Sequence, residues 1–235
     1  MKNPSSLKTV AVIPAAGSGI RMKSSRAKQF LSLDGRPILA VTLIHFQECS
    51  QVDGVVLVAP PGDVAYCREY IVEEFGLTKV ESVVAGGRRR QDSVRLGVEA
   101  TGGRYDLVLI HDGVRPVIDE RLLKRVMDAA RVHRAVIAAL PAKETVKEVN
   151  DCHEVVKTYD RHRVWMVQTP QVFRYADILK AHHRALAEAW EEATDDAFLV
   201  ERSGIPVTVV EGSEKNIKVT TPYDLEMARF MLGAL

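Results

Sequence analysis

Residues 7–30 read LKTVAVIPAAGSGIRMKSSRAKQF. Within them, TVAVIP at residues 9–14 is short, apolar and β-branched, the pattern of a strand buried on both faces. Five small residues follow: Ala15, Ala16, Gly17, Ser18 and Gly19. Residues of that size let the backbone approach a ligand closely, and successive amides in such a loop can cradle phosphate oxygens. Arg21 and Lys28 then bring positive charge, although either one alone could be an ordinary surface cation. Two familiar phosphate motifs fail. The dinucleotide pattern needs a glycine where Met22 stands, and the P-loop string is absent. Hydride transfer and P-loop hydrolysis are thereby demoted.

Working outward, strands and helices alternate. Residues 37–48 read as a mostly apolar helix and 52–58 as a buried strand. Residues 63–75 read as a helix that Asp63 could cap, 79–84 as a strand and 91–100 as a helix. Residues 107–110 form an apolar strand ending at His111-Asp112. Residues 119–132 place Leu122, Leu123, Val126, Met127 and Ala130 on one helical face, and 135–140 form another buried strand. Apolar strands in βαβ order predict a mostly parallel sheet covered by helices on both faces. The rhythm breaks after Pro141. Residues 143–167 are polar with interspersed valines and predict a hairpin turning at Asn150-Asp151. Residues 175–192 read as an amphipathic helix with Ile178, Leu179, His182, Leu186 and Trp190 on one side. A strand at 207–210 and a helix at 223–232 complete the pattern. The expectation is one domain over residues 1–235, with 142–167 as an inserted β-arm.

Composition agrees with a folded α/β protein. The 235 residues are 46% hydrophobic, 27% charged and 6% aromatic, which argues against disorder and fibrous repeats. Thirty-two Lys and Arg against 31 Asp and Glu leave a formal charge of +1. That is no global basic field for nucleic acid. Cys49, Cys67 and Cys152 lack metal or redox spacing. Their odd number, with no secretory signal and no bilayer-length apolar run, predicts a cytoplasmic location and no membrane partner.

The longer motif string is far more specific. Pro14-Ala15-Ala16-Gly17-x-Gly19-x-Arg21-Met22 and Lys28-Gln29-Phe30 resemble the signature loop of sugar-nucleotide and cytidylyl transferases. Gly86-Gly87-x-Arg89-x-Gln91-x-Ser93-Val94, His111-Asp112-x-x-Arg115-Pro116, Gln168-Thr169-Pro170-Gln171, Thr194-Asp195-Asp196 and Asn216-Ile217-Lys218-Val219-Thr220 follow in order. Together they resemble the 2-C-methyl-D-erythritol 4-phosphate cytidylyltransferase family over nearly the whole chain. The resemblance implies a Rossmann-like nucleotidyltransferase fold and a reaction joining CTP to that polyol phosphate, with release of pyrophosphate, in isoprenoid precursor synthesis.

An attacking phosphate is already an anion and needs no general base. The difficulty is bringing it to an anionic triphosphate, so positioning and charge neutralisation should dominate. The resemblance implies that Arg21 and Lys28 stabilise the transition state, while Lys218 and Arg161 hold the acceptor phosphate. It assigns Ala15, Ala16, Gly17, Gly87, Arg88, Ser93, Asp112 and Gly113 to CTP. Arg115, Thr145, Thr169 and Thr194 fall to the acceptor. Asp112, at a strand's carboxyl end, is placed for Mg²⁺ or another divalent cation; read alone it could equally be a turn or cap residue. The family commonly has alanines where this chain has Gly113 and Val114. Gly113 is compatible with close contact to a ribose. The run Arg88-Arg89-Arg90 could be a solvated basic turn. His111 reads as a strand-end residue rather than a catalyst.

In the resembled family the arm embraces a second subunit, which implies a homodimer with Arg161 reaching the neighbour's site. An arm folded onto its own subunit is the alternative. Two other functions stay open: a ribitol 5-phosphate cytidylyltransferase, and a non-catalytic nucleotide sensor on the same fold.

Overall fold

The computed structural model describes residues 7–17, 27–190 and 193–233. Strand β1 is Thr9–Pro14. Two short strands, β2 (Ser32–Leu33) and β3 (Arg36–Pro37), make a small hairpin before helix α1 (Ile38–Glu48). There follow β4 (Gly54–Ala59), α2 (Val64–Cys67), β5 (Val80–Ala85), α3 (Arg90–Ala100) and β6 (Leu107–Ile110). Next come α4 (Glu120–Val132), β7 (Ala135–Pro141), β8 (Lys147–Val149), β9 (Val155–Thr158) and β10 (Trp165–Arg174). The last elements are α5 (Tyr175–Ala187), α6 (Asp196–Arg202), β11 (Thr208–Glu211) and α7 (Pro222–Gly233).

Seven strands form one sheet in the order β11-β7-β10-β6-β1-β4-β5. Six run parallel; β10 runs antiparallel to both its neighbours, β6 and β7. Strands β4 and β6 are buried along their whole length, as continuous apolar runs require when helices cover both faces. Alternate residues of β1 feed two cores: Ala11 and Ile13 pack with α1 and α4, whereas Val10 and Val12 pack with α3 and α5. Helix α4 starts where Asp119 accepts a hydrogen bond from the Leu122 amide at 2.7 Å, which satisfies one of the orphan donors of a helix start.

The predicted core strands and most helices are present, and four expectations change. β10 is absent from the sequence reading. Its first residues, assigned to the arm, pair with the sheet (Trp165 opposite Pro141, Val167 opposite Ala139), and the register shifts before Gln171. Polar Gln168 and Thr169 and a proline interrupt its apolar pattern, so no period-2 signal survives. Asp63 makes no side-chain cap to α2, which runs on as a wider helical turn over Arg68–Glu73. Helix α5 ends at Ala187; the chain reverses through Ala189 at φ 51°, and Leu186 is exposed rather than on the apolar face. The short helix α6 lies where only a motif was read.

Candidate functional site

The order in which strands are added reverses at β1: β4 and β5 lie on one side and β6 on the other, all parallel to it. Such a switch leaves a crevice beyond the carboxyl ends of the strands. The loops after β1, β5 and β6 meet there around a cavity of about 210 Å³ bordered by Ala15, Ala16, Gly17, Lys28, Gly87, Arg88, Ser93, Asp112 and Lys218. The β1 loop is tied down by Ala15 N donating to Val58 O at 2.8 Å, and the β5 end by Gly86 N donating to Ala59 O at 2.8 Å. The two loops touch. A Cβ on Gly86 would fall 2.3 Å from Ala16 Cβ and 2.9 Å from Ser93 Oγ, so only glycine permits the approach. Ser93 Oγ accepts from Gly87 N at 3.1 Å and donates to Arg89 O at 3.1 Å, which holds the glycine loop against α3.

Three consecutive arginines have three fates, and only one matches a solvated turn. Arg88 is exposed at the cavity rim. Arg89 is held by Asp92: its backbone N donates to Asp92 Oδ2 at 3.2 Å, and its guanidinium donates to the same carboxylate at 2.9 and 3.0 Å. Arg90 is drawn inward between two buried carboxylates. Its Nε donates to Asp112 Oδ1 at 3.1 Å and its Nη1 to Asp196 Oδ2 at 2.8 Å. The other oxygen of Asp196 lies 3.4 Å from Nε2 of the fully buried His182.

Asp112 is the centre of charge. Lys218 Nζ is 2.9 Å and Arg115 Nε 3.6 Å from its Oδ2. Burial works against the ionised carboxylate, but Arg90, Lys218 and Arg115 together outweigh it and hold Asp112 well below the usual carboxylate range. The donor chemistry fits a hard cation carried by a nucleotide: one ionised carboxylate, with no cluster of three or more His, Cys, Asp or Glu among the described residues to form an all-protein cage.

A second hollow of about 220 Å³ lies on the far side of Asp112, bordered by Arg115, Thr169, Gln171 and Thr194 and sharing Arg90, Asp112 and Lys218 with the first. Its polar wall is internally braced. Arg115 Nη1 donates to Asn216 O at 2.7 Å, and Asn216 Nδ2 donates to Thr169 O at 2.6 Å. Asp112 N donates to Thr169 Oγ1 at 3.1 Å, which lies 3.1 Å from His111 Nδ1, and His111 Nε2 lies 3.2 Å from Arg115 O. A carbonyl only accepts, so Nε2 carries the His111 proton and Thr169 donates its own to Nδ1. Burial pushes His111 down to about 3. It is therefore a neutral strut, and Thr169 has no proton left to donate to a ligand.

Most predicted site residues converge on these two hollows. Gly113 does not border either; an added Cβ would lie 3.0 Å from both Ala15 Cβ and Leu39 Cδ1, so its smallness serves packing of the loop after β6 against the β1 loop and α1. Thr145 and Arg161 are exposed on or beside the arm, with Arg161 Nη1 donating to Lys143 O at 3.2 Å, and neither borders either of these two hollows. Arg21 lies outside the described residues. Sequence reasoning missed the inward turn of Arg90, the bracing by Asn216, and Gln29, at the edge of the first hollow, whose buried Nε2 has no hydrogen-bond partner among the described residues. Gln29 and Asn216 stand inside motifs read from the sequence, and those motifs were their signal.

Residues 9–234 match the family model described as 2-C-methyl-D-erythritol 4-phosphate cytidylyltransferase. The chain is 48% identical over 225 residues to the protein of that name from Syntrophus aciditrophicus, covering 96% of each. It is 48% identical over 221 residues to that from Geobacter metallireducens, covering 93% of this chain and 94% of the relative. Among solved structures, 4-diphosphocytidyl-2C-methyl-D-erythritol synthase from Anaerococcus prevotii superimposes with a TM-score of 0.84 at 33% identity, covering 97% and 96% of the two chains. The Thermus thermophilus cytidylyltransferase gives 0.78 at 32% identity over 97% and 100%.

Proposed function

The chain belongs to the 2-C-methyl-D-erythritol 4-phosphate cytidylyltransferase family, and from that premise we propose how its two hollows divide the work. The enzyme transfers the cytidylyl group of CTP to 2-C-methyl-D-erythritol 4-phosphate in isoprenoid precursor synthesis. The first hollow takes CTP, and the second takes the acceptor with its phosphate turned toward Asp112 and Lys218. One observation carries this assignment: the hollows are separate but share the wall Arg90, Asp112 and Lys218. Two anionic substrates would meet there.

An oxygen of the acceptor phosphate attacks the α-phosphorus of CTP. A new P–O bond forms, the bond to the terminal diphosphate breaks, and pyrophosphate leaves with the electron pair. The attacking group is already ionised, and His111 is neutral and occupied, so no side chain is asked to remove a proton. Lys28 and the amides of the β1 loop hold the triphosphate, with Arg21 as a second cation there. Lys218, with Arg115 beside it, receives the acceptor phosphate. The Gly87–Ser93 loop faces the base, and its fixed backbone groups would reject a base that leaves them unpaired. Asp112 would hold Mg²⁺ or another divalent cation, which when bound neutralises triphosphate charge.

The arm supports a homodimer. Val149, Val155 and Val156 are 49%, 56% and 62% exposed, and a two-stranded hairpin is marginal by itself. A second copy of the chain would cover it and bring Arg161 and Thr145 to the neighbour's acceptor site. A cytoplasmic location accords with three unpaired cysteines; among the described residues, no helix is long and apolar enough to cross a membrane.

The test is pyrophosphate release from CTP and Mg²⁺ with 2-C-methyl-D-erythritol 4-phosphate, run beside ribitol 5-phosphate. Release with the first acceptor is expected. Release with ribitol 5-phosphate alone would keep the chemistry and overturn the acceptor. CTP binding without release on either would make the chain a nucleotide sensor.

A further inference from the structure

Arg90 sits at the boundary of the two hollows, yet nothing in the reaction as described calls for it. Its place between two buried carboxylates is not explained by stability. Replacing a buried ion network by apolar groups of similar volume is often neutral or favourable, so a charged network needs another reason. The geometry supplies one. Asp112 has two oxygens, and the structure uses them differently. Oδ1 is bound by Arg90, whose guanidinium is itself gripped at its other edge by Asp196, 1% exposed at the start of α6. Oδ2 faces Lys218, 37% exposed, and Arg115. One oxygen is fixed through a rigid fork between two buried carboxylates; the other faces the side chain that we assign to the acceptor.

We infer that Arg90, anchored by Asp196, is a positioning residue for cytidylyl transfer: it occupies Asp112 Oδ1 and so presents Oδ2 alone to the ligands. This rests on the assignment of Asp112 above. A planar guanidinium binds two carboxylates along two edges at once; a lysine ammonium lacks that fork. Asp196 Oδ1 lies 3.4 Å from His182 Nε2 of α5, which packs against it without a hydrogen bond. The fixed groups behind Asp112 thus come from α3, α5 and α6, while Lys218 comes from the loop before α7. Outer partners of this kind typically change ligand affinity or activity about 10–100-fold when altered.

The variants are Asp196→Asn, which keeps shape and removes the anchoring charge, Arg90→Lys, which keeps charge and removes the fork, and Arg90→Ala. Three quantities are read: CMP binding without metal, Mn²⁺·CTP binding by water-proton relaxation, and kcat with KM for the acceptor. Asp196→Asn and Arg90→Lys are expected to bind CMP as the unaltered enzyme does. Mn²⁺·CTP should bind about tenfold more weakly and kcat should fall about tenfold, with acceptor KM little changed. Added guanidinium should restore part of the Arg90→Ala rate. Unchanged kcat and Mn²⁺·CTP affinity in Asp196→Asn and Arg90→Lys would overturn the proposal. So would losses matching a fall in folded fraction and CMP binding, which would make the network a stability element. If the unaltered enzyme fails to turn over, the reaction assignment fails instead, and the CMP and Mn²⁺·CTP titrations still decide this inference.

Discussion

Lys218 Nζ lies 2.9 Å from Asp112 Oδ2, although 106 positions separate the two residues and they belong to different loops. The site therefore neutralises its own charge before substrates arrive, and each partner must be released to do its separate work. Lys218→Ala should lower kcat by about 10²–10³-fold, the cost of removing a donor that stabilises developing charge. CTP affinity should stay the same or improve, because Asp112 loses a competing partner. Steady-state kinetics beside equilibrium CTP binding checks both halves; a Lys218→Ala enzyme that loses CTP binding in step with rate would contradict the division of roles.

Lys28 borders the nucleotide hollow and not the acceptor hollow. Lys28→Ala should reduce turnover by about 10²–10³-fold and weaken CTP binding while leaving CMP binding nearly intact, since CMP lacks the terminal phosphates. Calorimetric titration with both nucleotides separates the cases. Equal weakening for CMP and CTP would move Lys28 away from the triphosphate.

Gly86 has no room for a side chain between Ala16 and Ser93. Gly86→Ala should force the two nucleotide loops apart. We expect a loss of about 1–3 kcal/mol in stability, the usual cost of overpacking, and a larger loss in CTP affinity than in acceptor affinity. Thermal unfolding with and without CTP would show a smaller CTP-induced rise in Tm than for the parent; an unchanged rise would mean that the loops tolerate the methyl group.

The histidines predict an acid sensitivity. His45 lies below its ordinary value, chiefly because burial disfavours its charged form, with its hydrogen bond to Pro116 O only partly opposing this; His111 lies lower still. The unfolded chain then binds protons that the folded chain does not. Stability contributed by these groups is present above about pH 6.5 and declines as pH falls through and below that value. Urea unfolding at pH 7.5 and 5.5 should show the decline, and His45→Gln should reduce its slope. A slope unaffected by the substitution would place the proton uptake elsewhere.

The arm predicts an assembly. Sedimentation should give twice the 26.1 kDa chain mass. Replacing Val155 and Val156 by aspartate should yield monomers that bind CTP but turn over poorly, because Arg161 borders neither of the two substrate hollows of its own chain. Full activity in such a monomer would show that the arm serves its own subunit.

Resemblance of its motifs to a family named many of the residues that border the two hollows; the sequence by itself determined the parallel core and the glycine loop after β1. These are local signals. An apolar run buried on both faces reads as a strand wherever it stands, and glycine marks a close approach from its lack of Cβ alone. Only the tertiary structure decided the rest. β10 exists as a sheet strand because β6 and β7 flank it, and its own polar, proline-interrupted pattern does not announce it. Arg90 reads as one of three solvated cations until the fold brings up Asp196, 106 residues away. Thr169 reads as a ligand hydroxyl until His111 and the Asp112 amide claim its hydrogen bonds. Charge and hydrogen-bonding capacity are written in the residue, but the partner that consumes them is chosen by topology.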